Sequence, residues 1–385
     1  MTSNMEKLEK VESFDAMKLK EKLLRGIYSY GFETPSKIQQ IGILPVTTGK
    51  DSIIQAQSGT GKTGTFSIAM LQVIDETNPD LQAIVLCPTR ELAKQSFKVV
   101  MCLGDYLNLN IALCTGGSSV KDDEDLVKKA QILIATPGRL LDVAKKRLIK
   151  TSTIKLLVID EADEMLTIGF KSQVYDIYQI LPKTVQTALY SATMPNEVLE
   201  LTQKFMKDPI KILLNQEEVS LEGLAQYYIL LNNDDEKLLT ILDLFETFTK
   251  ISQAMIFCSS KRRVDWLKSK LEANKFTVSA IHSDMDQKER DEIMKQFRSG
   301  NSRILISTDL LSRGIDVQQT SLVINYDMPK YHENYTHRVG RTARYGKKGV
   351  AINLVNNLEY KMIKEIERYY EITIDELPSD VNSIF

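Results

Sequence analysis

The sequence predicts an α/β protein of two domains, each a mostly parallel sheet with helices on both faces. Three observations carry the prediction. The chain has 385 residues, too many for one ordinary hydrophobic core and suited to two domains of roughly 150 to 200 residues. Short apolar runs recur along it, each separated from the next by a helical pattern, as parallel strands joined by crossover helices require. The alternation lapses at residues 215–223, NQEEVSLEG, a stretch of mixed charge ending in glycine, and then restarts. The expected layout is a flexible, polar N-terminus at 1–13, a first domain over 14–214, a flexible linker at 215–223 and a second domain over 224–385.

The first helical pattern spans 18–30, with Leu19, Leu23, Leu24 and Ile27 on one face and Gly31 at its end. In the stretch GFETPSKIQ that follows, Pro35 is expected to open a helix whose first turns hold Gln39. The run 52–55 then leads into AQSGTGKT at 56–63 and a helix over 64–74. Strand, small-residue loop and helix together read as a phosphate-binding loop. Ser58, Gly59, Thr60 and Gly61 let successive N–H groups turn toward a polyphosphate, and the helix N-terminus adds its partial positive charge. Lys62 is then placed for the β- and γ-phosphates and Thr63 for Mg²⁺. Ala56 stands where the general pattern has glycine, so the loop is a variant spelling.

Further strands are expected at 83–87, 110–114, 132–135, 156–159, 187–190 and 210–214. Ligands of parallel sheets gather at the C-terminal ends of the strands, and the polar motifs stand there. They are PTREL (88–92), Gly116-Gly117, TPGR (136–139), DEAD (160–163) and SAT (191–193). Asp160 and Glu161 end an apolar run, where a carboxylate is costly unless it meets a cation or a donor. Beside a phosphate loop they read as the second half of a nucleotide-hydrolysis site. Asp160 would hold Mg²⁺ through its water shell and Glu161 would act as general base. Taken alone, the same pair would read as the cap of a following helix.

Beyond the linker, strands are expected at 226–231, 254–258, 277–281, 303–307, 322–325 and 350–354, with no second phosphate loop. The chain thus resembles a duplicated fold with one copy of the nucleotide site. Its second half supplies arginine instead. STDLLSRGIDV (307–317) carries Arg313 and Asp316 beside Gly314, and HRVGRTAR (337–344) carries Arg338, Arg341 and Arg344. Arginines three apart share one face, and their planar forks suit a γ-phosphate. A surface ion pair is the competing reading for each of them.

Composition narrows the partners. Forty-nine Lys and Arg against 51 Asp and Glu give a formal charge of −2, so any nucleic-acid binding is local and not driven by a global positive field. The four cysteines form no CxxC pair and read as buried, reduced thiols, and the three histidines have no metal-ligand spacing. No apolar stretch approaches the ~20 residues that span a bilayer, and the start MTSNMEKLEK is charged. An intracellular protein without a membrane partner is expected.

In this order, the octapeptide, PTREL, TPGR, DEAD, SAT, STDLLSRGID and HRVGRTAR resemble a DEAD-box RNA helicase of superfamily 2 over almost the whole chain. FDAM with LLRGIYSYGFETPSKIQQ, DEADEMLTIGF, FMKDPIKIL, SLEGLAQYY and VDWL resemble the eukaryotic initiation factor 4A subfamily. Its nuclear paralogue in the exon junction complex is the nearest rival. STDLLSRGIDVQQ, HENY (332–335) and ELPSD look more like the translation factor.

The resemblance implies two RecA-like domains with ATP and Mg²⁺ between them and RNA lying across both. It implies that Phe32 stacks on adenine, Gln39 reads its edge and Phe14 supports that pocket, favouring ATP over GTP. It makes Arg341 and Arg344 arginine fingers, with Gly314 and Asp316 completing the pocket, and gives Asp163, Ser191, Thr193 and His337 a role in coupling ATP state to closure. For RNA it points to Pro88, Thr89, Arg90, Gly116, Gly117, Thr136, Gly138 and Arg139, and in the second domain to Asp284, Gln287, Arg290 and Thr308. These are backbone-reading types, consistent with single-stranded RNA or mRNA held without sequence preference. Ala343 and Ser283 depart from the pattern, each standing where glycine is usual.

The implied activity is RNA-stimulated ATP hydrolysis that unwinds short duplexes in translation initiation, in the cytoplasm. The alternative is an ATP-gated RNA clamp of the exon junction type, which would be nuclear. A metabolic ATPase unrelated to RNA is opposed by the second-domain motifs. The subfamily implies a HEAT-repeat scaffold resembling initiation factor 4G as partner, with the chain a monomer on its own.

Overall fold

A computed structural model describes residues 10–56, 60–117, 120–166, 170–213, 224–247, 253–309, 320–342 and 349–384. Ser58, Gly59, the expected linker 215–223, Gly314, Asp316, Ala343 and Arg344 lie outside the described residues. The chain divides into two compact units, Met1–Asn215 and Gln216–Phe385.

The first unit holds β1 (Ser52–Gln55), β2 (Ala83–Leu86), β3 (Ile111–Cys114), β4 (Ile132–Ala135), β5 (Leu156–Asp160), β6 (Gln186–Ser191) and β7 (Ile210–Leu213). They form one sheet in the order β3-β4-β2-β5-β6-β1-β7, with every pairing parallel. Runs such as AIVL, ILIA and LLVID are buried along their whole length because helices cover both faces. On one face Phe14, Leu23, Ile27, Ile38 and Phe66 pack together; on the other Leu140, Val143, Met165, Val174 and Ile177 do. Asp51 ties the sheet's lower end, accepting from the amides of Thr187 and Lys207, each at 2.7 Å.

The second unit holds β8 (Leu224–Leu230), β9 (Ala254–Phe257), β10 (Val278–Ile281), β11 (Ile304–Ser307), β12 (Leu322–Asn325), β13 (Gly349–Val355) and β14 (Asp375–Glu376). Their order is β10-β11-β9-β12-β13-β8-β14, again all parallel. Counting strands from the start of each unit, both sheets read third, fourth, second, fifth, sixth, first, seventh. The duplication expected from the sequence is therefore a duplication of topology. β14 is two exposed residues paired with β8, and no apolar run announces it.

Two boundaries differ from expectation for local reasons. The pattern at 18–30 is broken by Lys18, which sits in the left-handed region at φ 53°, so a short 3-10 turn Asp15–Met17 precedes the helix Glu21–Ser29. Pro35 does not open its helix. Ser36 is the N-cap of Lys37–Thr47, and the Ser36 amide donates to Gln39 Oε1 at 2.8 Å, the return half of a capping box. Ordered contacts begin ahead of Phe14, where the Val11 amide donates to the Gln40 carbonyl at 3.1 Å.

Candidate nucleotide and nucleic-acid sites

The phosphate-loop helix is Lys62–Val73, and Gly61 precedes it at φ 109°, a conformation that only glycine adopts without strain. Lys62 is buried, and its amine donates to the Ala56 carbonyl at 2.7 Å, so the lysine folds back over its own loop. Thr65 and Ser67 turn inward and donate to the carbonyls of Gly61 and Thr63 at 2.9 and 2.6 Å. The helix's far end is capped from the N-terminal segment: the Lys20 amine reaches the carbonyls of Leu71 and Ile74 at 3.2 and 2.5 Å. Burial holds that amine below its ordinary pKa, partly offset by Glu76 and Asp75.

Across from the loop, β5 delivers Asp160 buried at its C-terminal end. Burial raises its pKa from 3.8 to about 7, the neighbouring Glu161 pushes the same way, and Lys62 opposes both. Glu161 is forced into the left-handed region at φ 48°, and its amide donates to Asp160 Oδ1 at 3.0 Å. That conformation turns the strand sharply into the helix Ala162–Met165 and leaves Glu161 Oε2 buried without a hydrogen-bond partner among the described residues. Strained backbone combined with an unsatisfied carboxylate oxygen is the pattern of a working site.

Three of the residues expected to couple are brought together. Thr193 Oγ1 donates to Asp163 Oδ2 at 2.8 Å, and the Asp163 amide donates to Ser191 Oγ at 3.3 Å. DEAD and SAT, far apart in sequence, meet because β5 and β6 are neighbours in the sheet.

The expected adenine residues also converge. Phe14 and Phe32 stack with ring centroids 6.4 Å apart, and Tyr30 meets Phe32 edge-on at 4.9 Å. A Cβ added to Gly64 would lie 2.7 Å from Gln39 Nε2 and 3.1 Å from Phe32 Cε2, and one added to Gly61 would lie 3.2 Å from Gln39 Nε2. The aromatic ring, the amide and the start of the phosphate-loop helix therefore form one pocket wall.

Sheet order separates this group from the residues expected to hold RNA. β5, β6 and β1 are contiguous and carry the nucleotide candidates, while β3, β4 and β2 are contiguous and carry Gly116-Gly117, Thr136 to Arg139, and Pro88 to Arg90. Thr89 caps the helix Arg90–Leu103, its hydroxyl accepting from the Leu92 amide at 3.2 Å. A Cβ on Gly116 would lie 2.7 Å from Arg90 Nη2, so the glycine makes room for the guanidinium. Gly117 has φ 94°. Thr136 precedes the helix Pro137–Lys145, and Arg139 on its first turns pairs with Asp142 at 3.6 Å. Gly138 faces Gln173, which no motif pointed to.

In the second unit, Asp284, Gln287 and Arg290 follow β10 and Thr308 follows β11, two adjacent strands equivalent to β3 and β4. Asp284 is exposed and ion-paired with Lys261, whose hydrogen bond holds the carboxyl below its ordinary range. Sequence reasoning missed Lys261, since nothing in its spacing signals a partner across two strands. Gln287 begins the helix Gln287–Arg298, which Asp286 caps by accepting from the Glu289 amide at 2.8 Å.

The arginines separate in role. Arg338 is fully buried, grips both oxygens of Asp309, donates to Asn325 Oδ1 at 3.0 Å and the Asp327 carbonyl at 2.6 Å, and lies over the Phe257 ring. It bolts the second unit together and leaves the group of arginines read as phosphate contacts. Arg341 follows the helix His332–Val339, with its Nε donating to the His337 carbonyl at 3.2 Å and its own carbonyl accepting from Thr320 Oγ1 at 3.0 Å. Arg341 and His337 thus share one turn of the second unit.

Comparison with known proteins agrees with this architecture. A family model described as DEAD/DEAH box helicase matches residues 36–201, and one described as helicase conserved C-terminal domain matches residues 236–346. Among curated proteins, the chain is 57% identical to the ATP-dependent RNA helicase eIF4A of Chaetomium globosum, covering 97% of this chain and 94% of that protein. It is 56% identical, at the same coverage, to the protein of that name in Pyricularia oryzae. Among solved structures it resembles S. cerevisiae Dbp5 bound to RNA and ADP BeF3, with a TM-score of 0.89, 36% identity and 96% of each chain covered.

Proposed function

The chain belongs to the DEAD-box helicase family, in the subfamily of the eIF4A proteins; on that premise we propose that it is an ATP-dependent RNA helicase of translation initiation. The name carried by relatives at this identity supports the initiation role over the exon junction clamp. The observation that carries the chemistry is the buried trio of Lys62, which opens the helix after β1, with Asp160 and Glu161 at and just past the end of β5; β1 and β5 run parallel and end at the same edge of the sheet. Lys62 and Asp160 are close enough to shift the aspartate's pKa, and Glu161 keeps an unsatisfied oxygen.

These donors fit ATP and a hard cation. Burial and the neighbouring Glu161 push the Asp160 carboxyl up, so a cation beside it would offset the cost of its charge, and the hydroxyl of Thr63 offers a second oxygen. When bound, ATP·Mg²⁺ supplies the activated phosphoanhydride. Lys62 would then exchange the Ala56 carbonyl for phosphate oxygens, and the amides of Ser58, Gly59, Thr60 and Gly61 would hold the polyphosphate. Glu161 Oε2 takes a proton from the attacking water, its free lone pairs being the reason it can. Phe32 and Gln39 hold the base, the amide nitrogen of Gln39 donating while its oxygen is partly used by Ser36. Arg341 and Arg344 brace the γ-phosphate from the second unit, with Gly314 and Asp316 lining the pocket. Asp163, Ser191, Thr193 and His337 transmit nucleotide state to the arrangement of the units.

RNA is held through its backbone by the β3-β4-β2 edge and its β10-β11 counterpart, which leaves sequence choice to partners. A HEAT-repeat scaffold like initiation factor 4G is the proposed partner, and the cytoplasm the proposed location. The test is steady-state ATPase with and without single-stranded RNA, together with strand displacement on a short duplex. RNA should raise the ATPase at least ~10-fold, and Lys62→Ala and Glu161→Gln should each abolish it. Equal rates with and without RNA, or activity surviving in either variant, would overturn the reading.

A further inference from the structure

The first unit has an open groove of about 450 Å³, lined by Leu141, Ala144, Ile149 and Ile180, with Lys145, Arg147 and Asp176 at its rim. It lies between the C-terminal ends of the helices Pro137–Lys145 and Lys171–Ile180. Helices in a parallel α/β unit run back against the strands, so these ends sit at the N-terminal edge of the sheet, where Ile149 and Thr151 lead into β5. The first unit's described nucleotide and RNA candidates stand at or beside the opposite edge. An occupant of the groove therefore competes with neither.

Arg147 has φ 56°, while its amide donates to the Ala144 carbonyl at 2.9 Å and the Leu148 amide to the Val143 carbonyl at 3.0 Å. That is a Schellman end to the helix Pro137–Lys145 with arginine at the position glycine favours. The backbone is thus less stable than glycine would make it, and the arginine side chain gains nothing inside the fold. Neither Lys145 nor Arg147 has a side-chain hydrogen bond or ion pair among the described residues, and both are exposed. Lys146 beside them is paired only with Asp142, at 3.0 Å. Asp176 is the one acid lining the groove. An apolar floor under a basic rim is complementary to an apolar side chain flanked by carboxylates, and RNA has no use for the floor.

We propose that this groove docks a partner protein through a short acidic segment with a leucine-like anchor, leaving the RNA and nucleotide sites open. The experiment is selection of random peptides displayed on phage against the full chain, followed by fluorescence anisotropy of the enriched peptides. Sequences pairing Leu, Ile or Phe with flanking Asp or Glu should be enriched. Their affinity should fall at least ~10-fold in Arg147→Gly and in Ile180→Asp, and saturating single-stranded RNA should not displace them. Arg147→Gly should melt at the wild-type temperature or higher, because glycine suits φ 56°, so its loss of binding cannot be a loss of fold. The proposal is overturned if no acidic-apolar sequence is enriched, if Arg147→Gly binds the peptides as wild type does, or if RNA displaces them. It is equally overturned if Arg147→Gly weakens RNA binding in place of peptide binding, which would assign the rim to phosphates.

Discussion

Asp160 shows how one residue can work against its fold for the sake of its site. Its carboxyl is pushed up to about 7 by burial, with Glu161 adding to the effect, against a value near 3.9 in an unfolded chain. Between those values the folded protein holds a proton that the unfolded protein has lost, so the stability of the nucleotide-free protein falls as pH rises from about 4 to about 7. Denaturation midpoints across that window should decline in the wild type and decline less in Asp160→Asn; parallel profiles would reject the assignment. Gly64 carries the complementary lesson, because there the site depends on an absent side chain. Its missing Cβ would fall 2.7 Å from Gln39 Nε2, and Gln39 is tethered at its other end by the Ser36 amide. Gly64→Ala should therefore move Gln39 and Phe32, raising the KM for ATP about 10-fold while stability changes by no more than about 1 kcal/mol. Titration with a fluescent ATP analogue and a thermal melt separate the two effects.

At the scale of elements, the helix His332–Val339 is fixed by one buried side chain. Arg338 is held by Asp309, Asn325 and the Asp327 carbonyl, groups contributed from the C-terminal ends of two stretches, Asp309 beyond β11 and Asn325 and Asp327 at and just past the end of β12. Arg338→Ala should remove a buried guanidinium from between Asp309, Asn325 and the Asp327 carbonyl and cost the second unit about 3–5 kcal/mol in chemical denaturation, with nucleotide affinity at the first unit unchanged. An affinity loss at the first unit without destabilisation of the second would show that Arg338 acts at the nucleotide after all. The same residue marks what the sequence could and could not disclose. Strands were legible because AIVL, ILIA and AMIF are buried on both faces and so are apolar throughout. The motifs at their ends were legible because parallel topology puts loops of function there. Burial of Arg338 was not, since a spacing of three places Arg338 and Arg341 on one side of a helix without saying which neighbour waits in the fold. The start at Ser36 in place of Pro35, the break at Lys18 and the two-residue β14 were hidden for a related reason: each is decided by a backbone angle or a distant strand and not by a run of side chains.

For the whole molecule, the duplicated strand order means that each unit has a complete sheet and its own core, yet only the first has a phosphate loop and only the second has Arg341. Binding and hydrolysis should therefore come apart when the chain is divided. The unit Met1–Asn215, made alone, should fold and bind ATP with the pocket of Phe32, Gln39 and Lys62 intact, but its ATPase should not respond to RNA. Adding Gln216–Phe385 in trans at about 1 µM should restore little of the rate. Residues 214–223 join β7 to β8 in the intact chain, and a tether of that length gives an effective concentration in the mM range, about 10³-fold higher. Raising the second fragment toward that concentration in the presence of RNA should bring the rate up in proportion. Arg341→Ala in that fragment should prevent the recovery without altering ATP affinity of the first. RNA-stimulated turnover by Met1–Asn215 alone would instead place the whole catalytic apparatus in the first unit and make the arginines of the second dispensable.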